Sequence, residues 1–142
     1  MKLGLVTYMW GAEWDLPTLI KNCEATGFGG VELRSTHKHG VEPSLTKVQR
    51  VEVRKRFADS TVTCVGPGSA CEYHSPDHGI VQQNVELTKQ FILLSEDIGG
   101  SGVKVRPNGF NKGEDESRTI ERIGLALREC GQFAAEDRKS VV

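Results

Sequence analysis

Two stretches of five residues decide the fold of this sequence, Gly30-Val31-Glu32-Leu33-Arg34 and Gly102-Val103-Lys104-Val105-Arg106. In both, apolar residues alternate with charged ones, which is typical of a β-strand with one buried face. Each stretch follows a helical pattern that ends at a glycine, Gly27 or Gly99, the residue that most often closes a helix. The copies lie 72 residues apart, a spacing of two units of about 36 residues that each hold a strand and a helix.

Four such units can be placed along the chain. Their strands are predicted over residues 3–7, 31–34, 61–65 and 103–106. The first helix is predicted to begin at Asp15, a good N-cap with Pro17 in the first turn. The second is predicted over residues 44–57, and the third opens at Ser75 and Pro76 and closes at Gly99. A fourth helix follows the last strand.

Each predicted helix has an apolar face at helical spacing, which is expected to pack on the sheet. The second strand and the third are separated by a helix that places only a few apolar residues inward. The expected inward residues, helix by helix, are Leu16, Leu19, Ile20 and Cys23; Leu45, Val48 and Phe57; Leu87, Phe91, Leu94 and Ile98; and Ile120, Ile123, Leu127, Cys130 and Ala134.

The order of these elements predicts an α/β fold with a parallel sheet. Each strand is followed by a helix rather than a tight turn, so neighbouring strands are expected to be parallel with right-handed crossovers. We interpret residues 1–142 as a single partial domain, the first four βα units of a TIM-type (β/α)8 barrel. No fifth strand is expected in residues 138–142, with which the sequence ends. A small open α/β sheet is the alternative, but the first βα turn lacks a G-x-G-x-x-G phosphate loop.

Composition and charge exclude several classes of function. The 142 residues carry a net charge of −1, without the basic footprint of a nucleic-acid binder. No window approaches the roughly 20 apolar residues of a membrane span, and the opening apolar run is too short for a signal peptide. The four cysteines form no C-x-x-C pair; Cys23, Cys64 and Cys130 are expected in the core as reduced thiols. We expect a cytoplasmic protein whose partner is a small molecule or a protein.

Polar and aromatic residues gather after each predicted strand, whereas the connections from helix to strand, residues 27–30 and 99–102, are bland. In parallel βα folds, function lies where strands end and βα loops begin. This asymmetry predicts one functional face. Its candidate residues are Tyr8, Trp10, Glu13 and Trp14 after the first strand, Glu32, Arg34, His37 and His39 at the second, Cys71, Glu72, Tyr73 and His74 at the third, and Lys104, Arg106 and Asn108 at the fourth.

Three histidines among these residues invite a catalytic or metal-binding interpretation. His37 and His39 form an H-x-H pair, which can bind a divalent metal when both rings point inward, although two nitrogens do not complete a coordination sphere. Exposed loop histidines are the alternative. His74, which follows Glu72 by two residues, is a candidate ligand or general acid or base, or a packed loop residue.

Charged residues interrupt two of the apolar strands. By strand alternation Glu32 and Arg34 point the same way, as do Lys104 and Arg106. Such groups are tolerated in a barrel when they pair or face its open end. They predict a salt-bridge layer between the second and fourth strands or, alternatively, a site for an anionic or polyhydroxylated substrate.

The two tryptophans of the first βα loop also have two interpretations. Trp10 and Trp14 can form an apolar platform for a sugar ring. The alternative is that they cover the end of the barrel.

The same loops carry a resemblance to a known family, which runs from about residue 2 to residue 135. The sequence resembles the xylose isomerase-like TIM barrel family, which includes sugar and sugar-phosphate isomerases and epimerases. The motifs that carry the resemblance are Leu3-Gly4-Leu5-Val6-Thr7-Tyr8, the helix start Asp15-Leu16-Pro17-Thr18-Leu19, the strand Gly30-Val31-Glu32-Leu33-Arg34, the segment 37–43, Ala70-Cys71-Glu72-Tyr73-His74-Ser75-Pro76 and Val103-Lys104-Val105-Arg106-Pro107-Asn108.

The resemblance implies a divalent metal (Mn, Mg, Co or Zn) at the barrel mouth, which polarises a ketose or aldose while a carboxylate moves a proton at the adjacent carbon. In the family the metal ligands come mainly from the last four strands, which this chain is expected to lack. Only the supporting half of the pocket maps onto this sequence. We expect Glu72 and His74 as catalytic residues, His37 and His39 as weak metal candidates, and the substrate-binding residues Tyr8, Trp10, Glu32, Arg34, Lys104, Arg106 and Asn108.

Half a barrel leaves the first and fourth strands as unpaired edges and its interior open to water. Three hypotheses follow. The chain is part of a metal-dependent sugar or sugar-phosphate isomerase or epimerase, inactive alone or completed by a separate C-terminal half. Alternatively, two copies close an eight-stranded barrel as a homodimer. In the third, it is a non-catalytic module that binds a sugar or a protein partner.

Overall fold

The computed structural model describes residues 2–106 and 108–137 of the chain. Within this part, four strands alternate with four helices, as the sequence predicts. Residues 138–142, where no fifth strand is expected, lie outside the described residues, as do Met1 and Pro107. The elements are β1 (Gly4–Val6), α1 (Leu16–Thr26), β2 (Gly30–Arg34), α2 (Lys47–Ala58), β3 (Thr63–Glu72), α3 (His78–Asp97), β4 (Lys104–Arg106) and α4 (Glu116–Asp137).

The four strands form one sheet in the order β1-β2-β3-β4, and every neighbouring pair is parallel. Sequential order with a helix between each pair of strands is the arrangement of one half of a (β/α)8 barrel. The predicted α/β half barrel is therefore confirmed. Because all four strands run the same way, their carboxyl ends lie at one edge of the sheet.

The first helix forms where its capping residues predict. The Asp15 carboxylate accepts a hydrogen bond from the Thr18 backbone N–H at 2.9 Å, which satisfies one of the free donors of the first turn. At the other end Gly27 has a φ of 78°, in the left-handed region where glycine is favoured. The four residues predicted to point inward, Leu16, Leu19, Ile20 and Cys23, are all buried.

The second helix begins later than predicted and turns a different face inward. It starts at Lys47 because Thr46 caps it, in a reciprocal capping box with Gln49. The expectation that Val48 points inward is wrong, since Val48 is 80% exposed. Val48 and Phe57 are nine residues apart, and at about 100° per residue they lie on opposite sides of a helix. Val53, one turn before Phe57, fills the inward position instead.

The third strand is twice as long as its predicted counterpart, because the Gly66-Pro67-Gly68 segment belongs to the strand and not to a loop. The register shifts between Val31 and Glu32 of β2, which pair with Cys64 and Gly66. This bulge at Val65 accommodates a proline in an inner strand, where proline is otherwise rare. As a result, Glu72 is the last strand residue and not part of a loop.

The last two helices bury faces that are rotated from the predicted ones. Phe91, Leu94 and Ile98 of the α3 face are buried as expected, but Leu87 is exposed. The residues at the centre of that face are Val81, Val85 and Thr88. On α4, Ile120 and Leu127 are exposed, Ile123 and Ala134 are half-buried and Cys130 is buried. The buried stripe there is Thr119, Ala126 and Cys130, which also has helical spacing but is rotated, since Thr119 and Ala126 lie one position before the predicted Ile120 and Leu127.

The sheet has two unlike faces. The outer face, against the helices, holds the apolar strand residues Leu5, Val31 and Leu33, which belong to the core. All four cysteines are free and buried. This is expected of Cys23, Cys64 and Cys130, whereas Cys71, a candidate residue of the functional face, lies in the core as well. Burial raises the pKa of Cys64 to about 12. The inner face carries charged residues and exposed apolar ones such as Val6 and Val65. No helix in residues 2–106 and 108–137 combines the length and hydrophobicity needed to cross a membrane.

A substitution at Gly66 tests how closely β3 packs against the next βα unit. Its φ is 140°, and a Cβ there would overlap the backbone carbonyl oxygen of Gly102. We expect Gly66→Ala to lower the free energy of unfolding by about 2 to 4 kcal/mol, because overpacking and backbone strain add. Urea unfolding followed by circular dichroism measures the change.

The matched control is Gly102→Ala, since a Cβ at Gly102 meets nothing within 4 Å. It should change stability by less than about 1 kcal/mol. Equal losses in the two variants would contradict the packing of Gly66 against Gly102.

Candidate functional site

The candidate site lies along the edge where the four parallel strands end. The β1 end continues into Thr7 and Tyr8, and the β2 end continues from Arg34 into a loop that holds His37 and His39. The β3 strand ends at Glu72, with His74 two residues on, and β4 ends at Arg106. The predicted gathering of these loops at one edge is thus a direct result of the parallel topology.

The hydroxyl of Thr7 joins the first two strand ends. Thr7 is fully buried, and its Oγ1 accepts a hydrogen bond from the Arg34 backbone N–H at 2.9 Å. The same Oγ1 lies 3.1 Å from His37 Nδ1. A buried hydroxyl must also donate its own proton, and His37 Nδ1 is its only acceptor among the described residues. Thr7 therefore donates to Nδ1, an assignment that places the ring proton of His37 on Nε2.

The side chain of His39 is held by the backbone on both sides. Its Nε2 donates to the Arg34 carbonyl at 2.8 Å, and its Nδ1 accepts from the Val41 N–H at 3.0 Å. His39 is buried, and this burial lowers its pKa. A metal on His39 would have to displace one of these hydrogen bonds.

Arg34 ends β2 with its guanidinium buried in the site. Its Nη1 donates to the Ser69 carbonyl oxygen at 2.9 Å. The Tyr8 ring covers the guanidinium, with its centroid 5.6 Å from Cζ, a distance at which cation and aromatic ring attract. Tyr8 itself is more than half exposed, so the aromatic ring separates Arg34 from solvent.

Glu32 and Lys104 form an ion pair across the inner face, with 3.2 Å between Oε1 and Nζ. This is the contact between the second and fourth strands that alternation predicts. The carboxylate lies over Gly68, where a Cβ would be 2.7 Å from Oε1. Oε1 is buried and makes no hydrogen bond, because the lysine is close enough to pair but not aligned to donate.

Glu72, His74 and Arg106 form a looser group at the ends of β3 and β4. The Glu72 carboxylate is 3.9 Å from His74 Nδ1 and 4.0 Å from Arg106 Nη1. Both distances exceed a hydrogen bond. His74 Nδ1 is buried without a hydrogen-bond partner, which leaves it able to bond to a further group.

A clamp from the last helix fixes the backbone of His74. Its carbonyl oxygen accepts from Arg122 Nη1 at 2.7 Å and from Asn111 Nδ2 at 3.3 Å. Glu114 ties the two donors together, and its hydrogen bonds from Asn111 and Arg122 lower its pKa. Sequence reasoning missed these three residues, because no local pattern links them to His74, which lies 37 to 48 positions earlier.

The remaining predicted residues lie at the periphery. Trp10 is 73% exposed, whereas Trp14 packs against the core, so the two tryptophans do not share one environment. Asn108 is exposed and has a φ of 63°. Within the described part of the chain, neither Trp10 nor Asn108 contacts the ion pair of Glu32 on β2 and Lys104 on β4.

Comparison with known proteins supports the fold. No protein-family model matches the sequence, and no curated protein matches it. Among solved structures, D-psicose 3-epimerase with D-tagatose from Clostridium cellulolyticum H10 is similar at a TM-score of 0.77 and 19% identity, over 96% of this chain and 49% of that one. The IolI protein with a bound zinc atom gives a TM-score of 0.78 at 14% identity, over 94% of this chain and 48% of that one. L-ribulose 3-epimerase gives 0.75 at 20% identity, over 96% and 47%.

The chain has the fold of half a (β/α)8 TIM barrel, like the halves of these solved structures that it matches. It spans about half the length of the solved chains that it matches. In such a barrel the inner face of the sheet becomes the interior, and the edge that holds Thr7, Arg34 and Glu72 becomes the end where the βα loops meet.

The described half of the barrel does not by itself offer a metal centre. In residues 2–106 and 108–137, no group of three or more His, Cys, Asp or Glu side chains could hold a metal ion. The rings of His37 and His39 lie at 71° with 6.1 Å between centroids. Their hydrogen bonds to Thr7, Arg34 and Val41 already use three of the four ring nitrogens, and the fourth, His37 Nε2, carries the proton.

Thr7 provides a test of the hydrogen-bond network. We expect Thr7→Val, which keeps the shape and removes the hydroxyl, to lower the free energy of unfolding by about 1 to 3 kcal/mol. The reason is that the Arg34 N–H and His37 Nδ1 lose their buried partner. Urea unfolding measures the loss.

Thr7→Ser is the matched control, because it keeps the hydroxyl and removes only a methyl group. It should cost about 1 kcal/mol, the value of one buried methyl group. If Thr7→Val were as stable as the original chain, the hydroxyl would not have the role assigned to it.

Proposed function

We propose that the chain contributes half of the site of a sugar or sugar-phosphate isomerase or epimerase. The observation that carries the proposal is the gathering of charged, hydrogen-bonding and aromatic groups from all four strands at the carboxyl edge of the sheet. A sugar presents hydroxyl groups that donate and accept, together with apolar C–H faces. The similarity of the fold to solved sugar epimerases supports the same assignment.

In this proposal the substrate lies across the inner face of the sheet. Glu32 and Lys104 bind hydroxyl groups, and Tyr8 packs against the ring or chain of the sugar, with Trp10, Arg106 and Asn108 at the periphery. The pairing of Glu32 with Lys104 at 3.2 Å supports a role in orientation, because it fixes the carboxylate before the substrate arrives.

We assign proton handling to Glu72 and His74. The Glu72 carboxylate and His74 Nδ1 lie 3.9 Å apart, and Nδ1 has no hydrogen-bond partner. A substrate hydroxyl between them could donate to one and accept from the other, which is the geometry that general acid–base transfer requires. The hydrogen bond from Arg122 to the His74 carbonyl fixes the backbone from which the ring extends.

A divalent metal (Mn, Mg, Co or Zn) belongs to the proposal as the group that polarises the carbonyl of the sugar. Its ligands would come from beyond the described residues, since these offer no set of three. His37 and His39 do not fit the role of metal ligands while they keep their present hydrogen bonds.

The open side of the sheet indicates how the site would be completed. No strand within the described residues pairs with the outer edge of β1 or of β4. A pocket of about 580 Å³ lies under α4 beside β4 and is lined by Val103, Val105 and Leu127, a suitable place for the side chains of a further strand. We propose that further βα units close the barrel, supplied by a complementing C-terminal half or by a second copy in a homodimer.

A non-catalytic module that binds a sugar or a protein is the second candidate. The Glu32–Lys104 ion pair and the exposed Tyr8 ring would bind a sugar in the same way without any chemistry, which is what this candidate requires. A cytoplasmic location remains a prediction in both cases.

Titration of the 142-residue chain with D-tagatose tests sugar binding. Nuclear magnetic resonance should show shifts that saturate and that concentrate at Tyr8, Glu32 and His74. Tyr8→Ala should weaken the binding about five- to tenfold, the amount expected from losing one aromatic contact. Binding that is unchanged by a chelator and without turnover would favour the non-catalytic candidate.

The control is Val48→Ala, which removes an exposed apolar side chain of α2 that is not among the candidate site residues. It should leave the D-tagatose affinity unchanged. The absence of saturable shifts with D-tagatose and with D-allulose would count against a sugar site.

A further inference from the structure

Three cations and two carboxylates lie on the inner face of the sheet, so one positive charge is in excess. The carboxylates are Glu32 and Glu72. Glu32 pairs with Lys104 at 3.2 Å, and Glu72 lies 4.0 Å from Arg106. Within residues 2–106 and 108–137, no carboxylate lies within 4.0 Å of the Arg34 guanidinium. The excess charge is therefore located on Arg34.

Arg34 is also the most buried of the three cations. It is 9% exposed, whereas the side chains of Lys104 and Arg106 are 54% and 41% exposed. Water can solvate the two exposed cations. A buried guanidinium without a carboxylate is costly to the folded state, and proteins pair such charges. The missing partner points to an anion other than the carboxylates of the described residues.

The remaining contacts of Arg34 leave it free to bind such an anion. Its Nη1 donates to the Ser69 carbonyl and its backbone N–H donates to Thr7. A guanidinium has five N–H donors, and the one contact with Ser69 is the only hydrogen bond that this guanidinium makes within the described chain. The Tyr8 ring lies 5.6 Å from Cζ and contributes a cation–π attraction without using any of the N–H donors.

His37 supplies a second donor in the same loop. Thr7 binds both the Arg34 backbone N–H and His37 Nδ1, which holds the two residues close together and leaves the His37 proton on Nε2. An imidazole N–H and a guanidinium both suit an oxygen anion, because both groups donate hydrogen bonds.

We infer that Arg34, supported by His37, is the recognition site for an anionic oxygen group of the ligand, a phosphate ester or a carboxylate. The inference rests on the proposed function only in taking the ligand to be a sugar. This role belongs to Arg34 and not to Lys104 or Arg106, because these two already face carboxylates of the protein.

The test compares three sugars by calorimetric titration of the 142-residue chain: D-fructose, D-fructose 6-phosphate and D-glucuronate. At least one anionic sugar should bind about tenfold or more tightly than D-fructose. The sugar that shows the preference identifies the group as phosphate or carboxylate. Arg34→Met should abolish the preference, because it lowers the affinity for the anionic sugar about tenfold or more and the affinity for D-fructose much less. Arg34→Lys should retain part of the preference, because lysine keeps the charge without the fork.

Arg128→Met is the matched control, since it removes one exposed positive charge by the same substitution. Arg128→Met should keep the preference for the anionic sugar over D-fructose. If Arg34→Met does not fold, the Arg34 Nε–Hε resonance of the unsubstituted chain, titrated with inorganic phosphate, gives the answer: a saturable shift supports the site and a constant position rejects it.

Other outcomes separate the two proposals. Phosphate binding at Arg34 without binding of any sugar would support the anion site and count against the sugar function. Binding of D-fructose without preference for either anionic sugar would overturn the anion site and leave the sugar function standing. An equal loss of preference in Arg34→Met and Arg128→Met would also overturn it.

Discussion

The buried hydroxyl of Thr7 is the contact on which the geometry of the site depends. It accepts from the Arg34 N–H and donates to His37 Nδ1, and so it joins the end of β1 to the end of β2 and to the loop that follows. A buried polar network of this kind is rigid when every member is satisfied. Arg34 then continues the network, since its carbonyl accepts from His39 and its guanidinium donates to Ser69 on β3. Three of the four strands are thus connected through two residues.

The two faces of the sheet differ in what stabilises them. The apolar strand residues face the helices and form the core, while the charged ones face the opposite, open side. That side is stabilised less by burial than by the pairing of Glu32 with Lys104 and by the space that Gly68 leaves for the carboxylate. The surface is therefore ordered but open, which is what a ligand site requires. A barrel closed by further βα units would enclose the same groups in a cavity and strengthen their electrostatic interactions.

Much of the fold could be predicted from the sequence because local signals agree with the tertiary structure. The alternating pattern of the Gly30–Arg34 strand and the capping residues Asp15 and Gly27 define elements that the structure contains. The extension of β3 through Gly66 and Pro67 could not be predicted, because glycine and proline ordinarily indicate a loop and only the bulge opposite Val31 accommodates them. The residues of the candidate site were identified by type, but their relations were not. Which cation stays unpaired, and which histidine nitrogen carries the proton, depend on contacts between residues about 30 or more positions apart.

The ring nitrogens of His37 offer the most direct measurement. A two-dimensional 1H–15N correlation spectrum of the histidine side chains, recorded at pH 8 on the 142-residue chain, distinguishes a protonated ring nitrogen from an unprotonated one. If Thr7 donates to His37, then Nε2 shows the shift of a protonated nitrogen and Nδ1 that of an unprotonated acceptor. The reverse assignment, with the proton on Nδ1, would contradict the account, because Thr7 would then be left with a buried hydroxyl proton that has no acceptor.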